Sequence, residues 1–274
     1  MLTDYHMHLV GDEQAYDDES FTRAHIERYV DAARERGIGE IGFTDHVFRF
    51  REARGWFDHP LWQADANERL QRYHAAVAAA RDDGLPVKVA LEVDYLEGRE
   101  QAIADAVAAF EWDFLLGSVH WVAGLAVDWD AAPVWEQLPA DEVWDRYVDA
   151  VCAAASTGIY DAMAHPDLAK VFGHRPPAGG DHEQRLADGV AAAGVCAEVS
   201  SAGYRRQLGE LYPSRSLLEL LHARQVPVTL GSDAHAPDGV GRDFERALAE
   251  LHAAGYRTLT VFDAREPRQV PIDA

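Results

Sequence analysis

Cysteine and lysine are nearly absent from the 274-residue chain. Its two cysteines, Cys152 in "DAVCAAAS" and Cys196 in "GVCAEVS", are too far apart and too apolar in context to act as a close thiolate pair. They read as small buried residues, with no disulfide and no zinc clip expected. Lysine occurs only as Lys88 and Lys170, so any lysine inside a motif stands out. No apolar run approaches a membrane span. The N-terminus also lacks the basic start and apolar core of a secretory signal, so no membrane partner and a cytoplasmic location are expected. No low-complexity linker or Pro/Ser-rich break divides the chain, which predicts one domain over residues 1–274.

Positive charge is scarce as well. Lys and Arg total 25 against 47 Asp and Glu, a formal net charge of -22. Such a chain repels a polyphosphate backbone at long range, and nucleic acid is a disfavoured partner. The hydrophobic share of 48% and charged share of 26% are ordinary for a globular protein and wrong for a disordered one. The length suits one α/β barrel or two ordinary domains.

Periodicity chooses between them. Short apolar, β-prone runs alternate with longer amphipathic stretches: "LTDYH", "IGEIGFT", "PVKVALEV", "DFLLGSVH", "YDAMAH", "GVCAEVS" and "VPVTLGS" are the strand candidates. "TRAHIERYVDAARERG" is typical of the segments between, with Ile26, Val30 and Ala33 on one face and Gly37 as the stop. Repeated strand–helix units at this spacing mean a parallel sheet with crossover helices, and so many of them favour a closed barrel. An eighth apolar run, "YRTLTVF", either joins that barrel or covers its edge. Two long loops, residues 46–62 and 121–140, are rich in aromatics and suit lids or walls over a site.

The histidines and carboxylates fall at one place on this map. His6 and His8 close the first strand, Asp45 and His46 the second, Glu92 and Asp94 the third. His120 closes the fourth, His165 the fifth, and Asp233 with His235 the seventh. By contrast His25, His74, His222 and His252 lie within helical stretches and carry no functional weight. C-terminal strand ends are where parallel barrels build their sites. So many titratable groups on one rim would destabilise one another without cations, and mixed imidazole and carboxylate donors suit zinc, manganese or iron better than magnesium or calcium. The i, i+2 pairs His6/His8 and Asp233/His235 each aim two side chains the same way. Of the adjacent Asp45 and His46 only one can point inward, and His46 is the choice. Glu92 is placed to bridge two cations, and Asp4 to accept an N–H from a ligating imidazole behind the first pair.

In order along the chain, "DYHMH", "GFTDH", "LEVDY", "GSVHW", "AHPDLAKVFG", "EVSSAGYRR", "YPSRSLLELL" and "VTLGSDAH" resemble the motifs of the polymerase and histidinol phosphatase (PHP) family of metallophosphoesterases. The sequence is most similar to the histidinol-phosphate phosphatase branch. The resemblance implies a distorted TIM-like (β/α)7 barrel with two or three divalent metal ions (Zn, Mn or Fe). It assigns one cation to His6, His8, Glu92 and Asp233, a second to Glu92, His120 and His165, and a third to His46 and His235. The implied nucleophile is a metal-bridging hydroxide, and the substrate a small phosphate ester. Asp167 or a water would protonate the leaving group. The family's corresponding segments point to Lys170, Arg205 and Arg206 for the phosphate, with Arg205 preferred of the two arginines. Asp94 and Trp121 are candidates for the ammonium and imidazole of histidinol phosphate.

The departures from the family pattern are local. Gln14 stands where relatives often place a His or Asp for the third cation, with Asp12 or Glu13 as substitutes. Ser200 and Tyr204 stand where the phosphatase branch more often has Asn and Leu. An amidohydrolase shares the opening H-x-H, but would usually want a bridging lysine at a strand end, and neither Lys88 nor Lys170 is at one. Other readings are a PHP enzyme acting on another small phosphate ester or nucleotide, and a non-catalytic domain that keeps the fold. The latter should have lost ligands, and here nearly the full set is present.

Overall fold

The computed structural model describes residues 1–11, 14–129 and 134–272. Seven parallel strands form its central sheet: β1 (Leu2–Asp4), β2 (Ile38–Phe43), β3 (Val87–Asp94), β4 (Phe114–Ser118), and, after a small hairpin of β5 (Trp121–Val122) and β6 (Leu125–Ala126), β7 (Ala162–Met163), β8 (Cys196–Ser200) and β9 (Val228–Gly231). Their spatial order, β1-β2-β3-β4-β7-β8-β9, follows the chain. All seven correspond to the seven apolar runs. The two edges of the sheet meet, with Tyr5 N donating to the Leu230 carbonyl at 2.9 Å and His8 N to the Ala234 carbonyl at 2.7 Å. The result is a nearly closed α/β barrel of the expected TIM-like kind.

Helices α1 (Arg23–Glu35), α2 (Pro60–Asp65), α3 (Leu70–Asp82), α4 (Glu100–Val107), α5 (Val134–Gln137), α6 (Ala140–Ser156), α7 (His182–Ala193), α8 (Arg215–Ala223) and α9 (Phe244–Ala254) fill the connections. The first shows how sequence sets the boundaries. The Thr22 side chain accepts from His25 N at its start, Ile26, Tyr29, Val30 and Ala33 are its buried face, and Gly37 follows its end with φ +71°. Strands such as β3 are buried on both faces because the helices cover one side and the barrel interior the other. Space there is tight: a Cβ on Gly117 of β4 would lie 2.5 Å from the Tyr160 ring. Both cysteines are free. Among the described residues no helix is long and apolar enough to cross a membrane.

The run "YRTLTVF" does not join the barrel. It forms β10 (Thr258–Asp263), which pairs antiparallel with β11 (Glu266–Pro271) in a separate two-stranded sheet. Phe262 stacks on Phe114 and meets Tyr5, Arg265 binds Asp161, and Lys88 donates to Asp263 at 2.8 Å. Lys88, Phe114 and Asp161 sit at the N-terminal ends of β3, β4 and β7, so the hairpin covers the end of the barrel opposite the histidines. The two aromatic loops have structure of their own. Residues 46–62 hold two 3-10 turns, Val47–Arg49 and Arg51–Ala53, and the start of α2, whereas 121–140 hold the β5/β6 hairpin and α5.

Candidate metal centre

Each strand of the barrel delivers its side chains to the C-terminal end, and there the histidines converge on Glu92. This carboxylate is fully buried. Its Oε2 lies 2.8 Å from His46 Nδ1, 3.2 Å from His6 Nε2 and 3.7 Å from His8 Nε2. Its Oε1 lies 3.1 Å from His165 Nε2 and 3.4 Å from His120 Nε2. Asp233 completes the other side, with Oδ1 3.2 Å from His8 Nε2, 3.6 Å from His6 Nε2 and 3.7 Å from His235 Nδ1. The His8 ring is stacked between His46 and His235, with centroids 4.2 and 4.3 Å away.

Among the described residues, four overlapping trios have donor atoms within 4.8 Å of one another: His6, Glu92 and His165; His46, Glu92 and His120; His6, His8 and Asp233; and His8, His46 and His235. The hydrogen bonds behind them decide what these trios can hold. His6 Nδ1 donates to Glu198 at 2.7 Å and His120 Nδ1 donates to Asp94 at 2.8 Å. With Nδ1 so committed, a neutral ring presents its Nε2 lone pair to a Glu92 oxygen, lone pair against lone pair. Only a proton or a cation between them relieves this, and a divalent cation serves several rings at once. The donor set therefore fits divalent metal ions.

The electrostatics agree. Burial by itself would raise the carboxyl pKa values of Glu92 and Asp233, but the surrounding imidazoles hold both well below the usual range. Burial works against a charged His6 too, yet Glu198, Glu92 and Asp233 raise its pKa well above the ordinary value. His8 goes the other way, lowered by burial and by His46 and His235, and so is held neutral, the form that binds metal.

Several expected residues stand elsewhere. Asp12, like Glu13, lies outside the described residues, and the Gln14 side chain turns back to accept from Gly11 N. Asp45 accepts from Leu9 N and Tyr16, leaving His46 as the inward member of its pair. Asp4 does not support an imidazole. The strand ends at Asp4, and its carboxylate accepts from the backbone of Ser232 and Gly241, both at 2.8 Å. Asp94 is buried and supports the His120 ring, accepting from its Nδ1. Lys170 is no open phosphate receptor, because its buried ammonium donates to Asp167 at 2.6 Å and to the Leu211 carbonyl at 2.7 Å. Trp121 packs against Phe57 and His59 and walls an adjacent cavity of about 710 Å³ that none of the clustered histidines lines.

Among the described residues Asp167 keeps one buried oxygen, Oδ1, without a hydrogen-bond partner, and burial raises its pKa even against the Lys170 charge. Arg205 is half-buried beside the cluster, donating to the Ser232 carbonyl at 2.6 Å, while Arg206 is exposed. Three residues went unassigned in the sequence. Asp128 follows the β5/β6 hairpin and brings Oδ2 to 4.0 Å from His120 Nε2. The Tyr212 hydroxyl is buried without a hydrogen-bond partner among the described residues, and its ring lies 5.1 Å from Lys170 Nζ and 6.4 Å from the His165 ring. Glu198 is a charge inside the apolar strand β8, and such a residue must be paired, which was the available signal.

Imidazoles held in this way call for cations, and cations at the strand ends of a parallel barrel are the working parts of metal-dependent hydrolases. The chain belongs to the PHP family: the PHP domain profile matches residues 20–202. A protein of Deinococcus radiodurans named probable histidinol-phosphatase is 33% identical over 236 residues, 85% of this chain and 88% of that protein. The histidinol-phosphatase of Bacillus subtilis is 24% identical over 250 residues, 81% of this chain and 91% of that protein. A crystal structure of histidinol phosphate phosphatase from Lactococcus lactis, complexed with zinc, L-histidinol and phosphate, superposes with a TM-score of 0.77 at 19% identity, covering 97% of this chain and 98% of that one.

Proposed function

We propose that the protein is a metal-dependent phosphomonoesterase that hydrolyses L-histidinol phosphate to L-histidinol and phosphate, a step of histidine biosynthesis. The observation that carries the chemistry is Glu92 between two sets of imidazoles, three on Oε2 and two on Oε1. The full-length likeness to histidinol-phosphatases supports the substrate. His6, His8, His46, Glu92, His120, His165, Asp233 and His235 would hold two or three divalent ions. When bound, these supply a water ionised near neutral pH and neutralise charge on the phosphate oxygens.

The remaining residues divide the work around that centre. Arg205 offers a planar guanidinium to the phosphate, and Arg206 adds charge at the rim. Water oxygen bonds to phosphorus, the bond to the ester oxygen breaks, and the departing alkoxide takes a proton. Asp167 is the donor we assign, since its Oδ1 is buried with no hydrogen-bond partner among the described residues and burial shifts its pKa upward. Asp128 replaces Asp94 as the carboxylate that faces the substrate's ammonium.

Divalent-metal-loaded protein is expected to release phosphate from histidinol phosphate faster than from a panel of sugar, nucleotide and amino-acid phosphates. Equal rates across the panel would refute the substrate but not the phosphoesterase. Metal analysis of the purified protein counts the ions, and wild-type activity in His8→Ala would overturn the site.

A further inference from the structure

We infer that Glu198 is a positioning residue that sets two of the three members of one metal-binding trio, His6 and His165, from opposite sides of Glu92. Its carboxylate is buried and uses both oxygens: Oε1 accepts from His6 Nδ1 and Oε2 from the His165 backbone N–H, each at 2.7 Å. The first contact fixes which ring nitrogen of His6 carries the proton, and so directs Nε2 at Glu92. The second holds a backbone that is strained without support, because His165 has φ +25°, a value side-chain-bearing residues seldom adopt. His6 and His165 are the partners of Glu92 in a single trio, so one residue of β8 fixes the angle between ligands that arrive from β1 and β7.

The surroundings are shaped to keep this carboxylate in place. On the neighbouring strand β9, a Cβ at Gly231 would fall 2.1 Å from Glu198 Oε1 and 2.6 Å from the His6 Cβ. A glycine there leaves room for the Glu198–His6 pair, and any larger residue would push them apart. His120 has a single-purpose support, Asp94, whereas Glu198 serves two ligands at once. With two N–H donors meeting one carboxylate, glutamine is expected to be a poor substitute. Its carbonyl can accept from one donor, but its NH2 then confronts the other.

The inference rests on the metal-binding reading of the cluster, and the test separates the two. Chelator-stripped protein is titrated with Zn2+ and with Mn2+ by calorimetry. Glu198→Gln and Glu198→Asp are each expected to weaken the sites that use His6 or His165 by about tenfold to a hundredfold, the usual cost of losing a ligand's support, while leaving the His8, His46 and His235 site unchanged. Aspartate keeps the charge but is too short for both donors, so it distinguishes position from charge. Unchanged isotherms in either soluble variant overturn the inference, even where the stripped variant melts lower. Nitrogen-15 NMR of zinc-loaded wild type needs no variant: His6 should be protonated at Nδ1 and metal-bound through Nε2, and the opposite tautomer overturns the inference. Wild type that takes up no cation overturns this inference and the proposed function together.

Discussion

Replacing Glu92 by glutamine removes the buried carboxylate charge that pairs with His6 and that five imidazoles face at 2.8 to 3.7 Å. Removing one partner of a buried ion pair leaves the other uncompensated, at a cost of about 3–5 kcal/mol. At about 2–4 °C per kcal/mol for a chain of this size, the metal-free Glu92→Gln protein should melt roughly 6–20 °C below metal-free wild type. The pH window follows from the two shifts. The Glu92 pKa is depressed, so its contribution is present above the ordinary value of 4.5 and is lost as the pH falls through the folded value. The His6 pKa is raised, so its contribution is complete below 6.5 and declines as the pH climbs through the folded value. The gap in melting temperature should therefore be widest between these limits and narrow toward alkaline pH. Scanning calorimetry of chelator-treated proteins at about pH 5.5 and about pH 9 measures it. Equal melting temperatures at the lower pH, or a gap that widens at the higher, would refute the reasoning.

Arg205→Ala should lower kcat/KM by about tenfold to a hundredfold, the worth of a charge-assisted contact to phosphate, with little change in melting temperature. Unaltered kinetics would remove it from the phosphate site. Asp128→Asn should raise KM for histidinol phosphate by about tenfold and leave KM for p-nitrophenyl phosphate, which has no ammonium, unchanged. Equal effects on both esters would contradict an ammonium contact. Gly117→Ala drives a methyl into the Tyr160 ring and should cost about 1–3 kcal/mol in denaturant unfolding. A neutral result would mean the ring has room to move.

The barrel was legible because each of its strands is a separate apolar run, and the parallel crossovers follow from the spacing between runs. The rim was legible for a related reason: strand ends are easy to locate, and His6, His8, Glu92, His120, His165, Asp233 and His235 all sit at them. Side-chain partners were less visible. The strict alternation that grouped Asp4 with His6 and His8 fails because β1 stops at Asp4 and its carboxylate turns to the Ser232 and Gly241 amides. Asp94 and Lys170 carry the expected charges, but the fold pairs both internally, Asp94 through Oδ1 with His120 and Lys170 with Asp167. Glu198 escaped notice because it lies within a strand rather than at its end. Its two donors are 192 and 33 residues away in the chain.

His8 and Asp233 meet across the seam where the first and last strands of the barrel touch, 225 residues apart in sequence. A cation held jointly by His6, His8 and Asp233 would act as a removable cross-link in a chain without disulfides, closing a loop nearly as long as the protein. By the loop-closure relation used for covalent cross-links, a ring of that size withdraws about 5 kcal/mol of entropy from the unfolded chain. The same ions that equip the site for chemistry would then fasten the barrel shut, and stripping them should free the β1–β9 amides to exchange with solvent before the rest of the sheet.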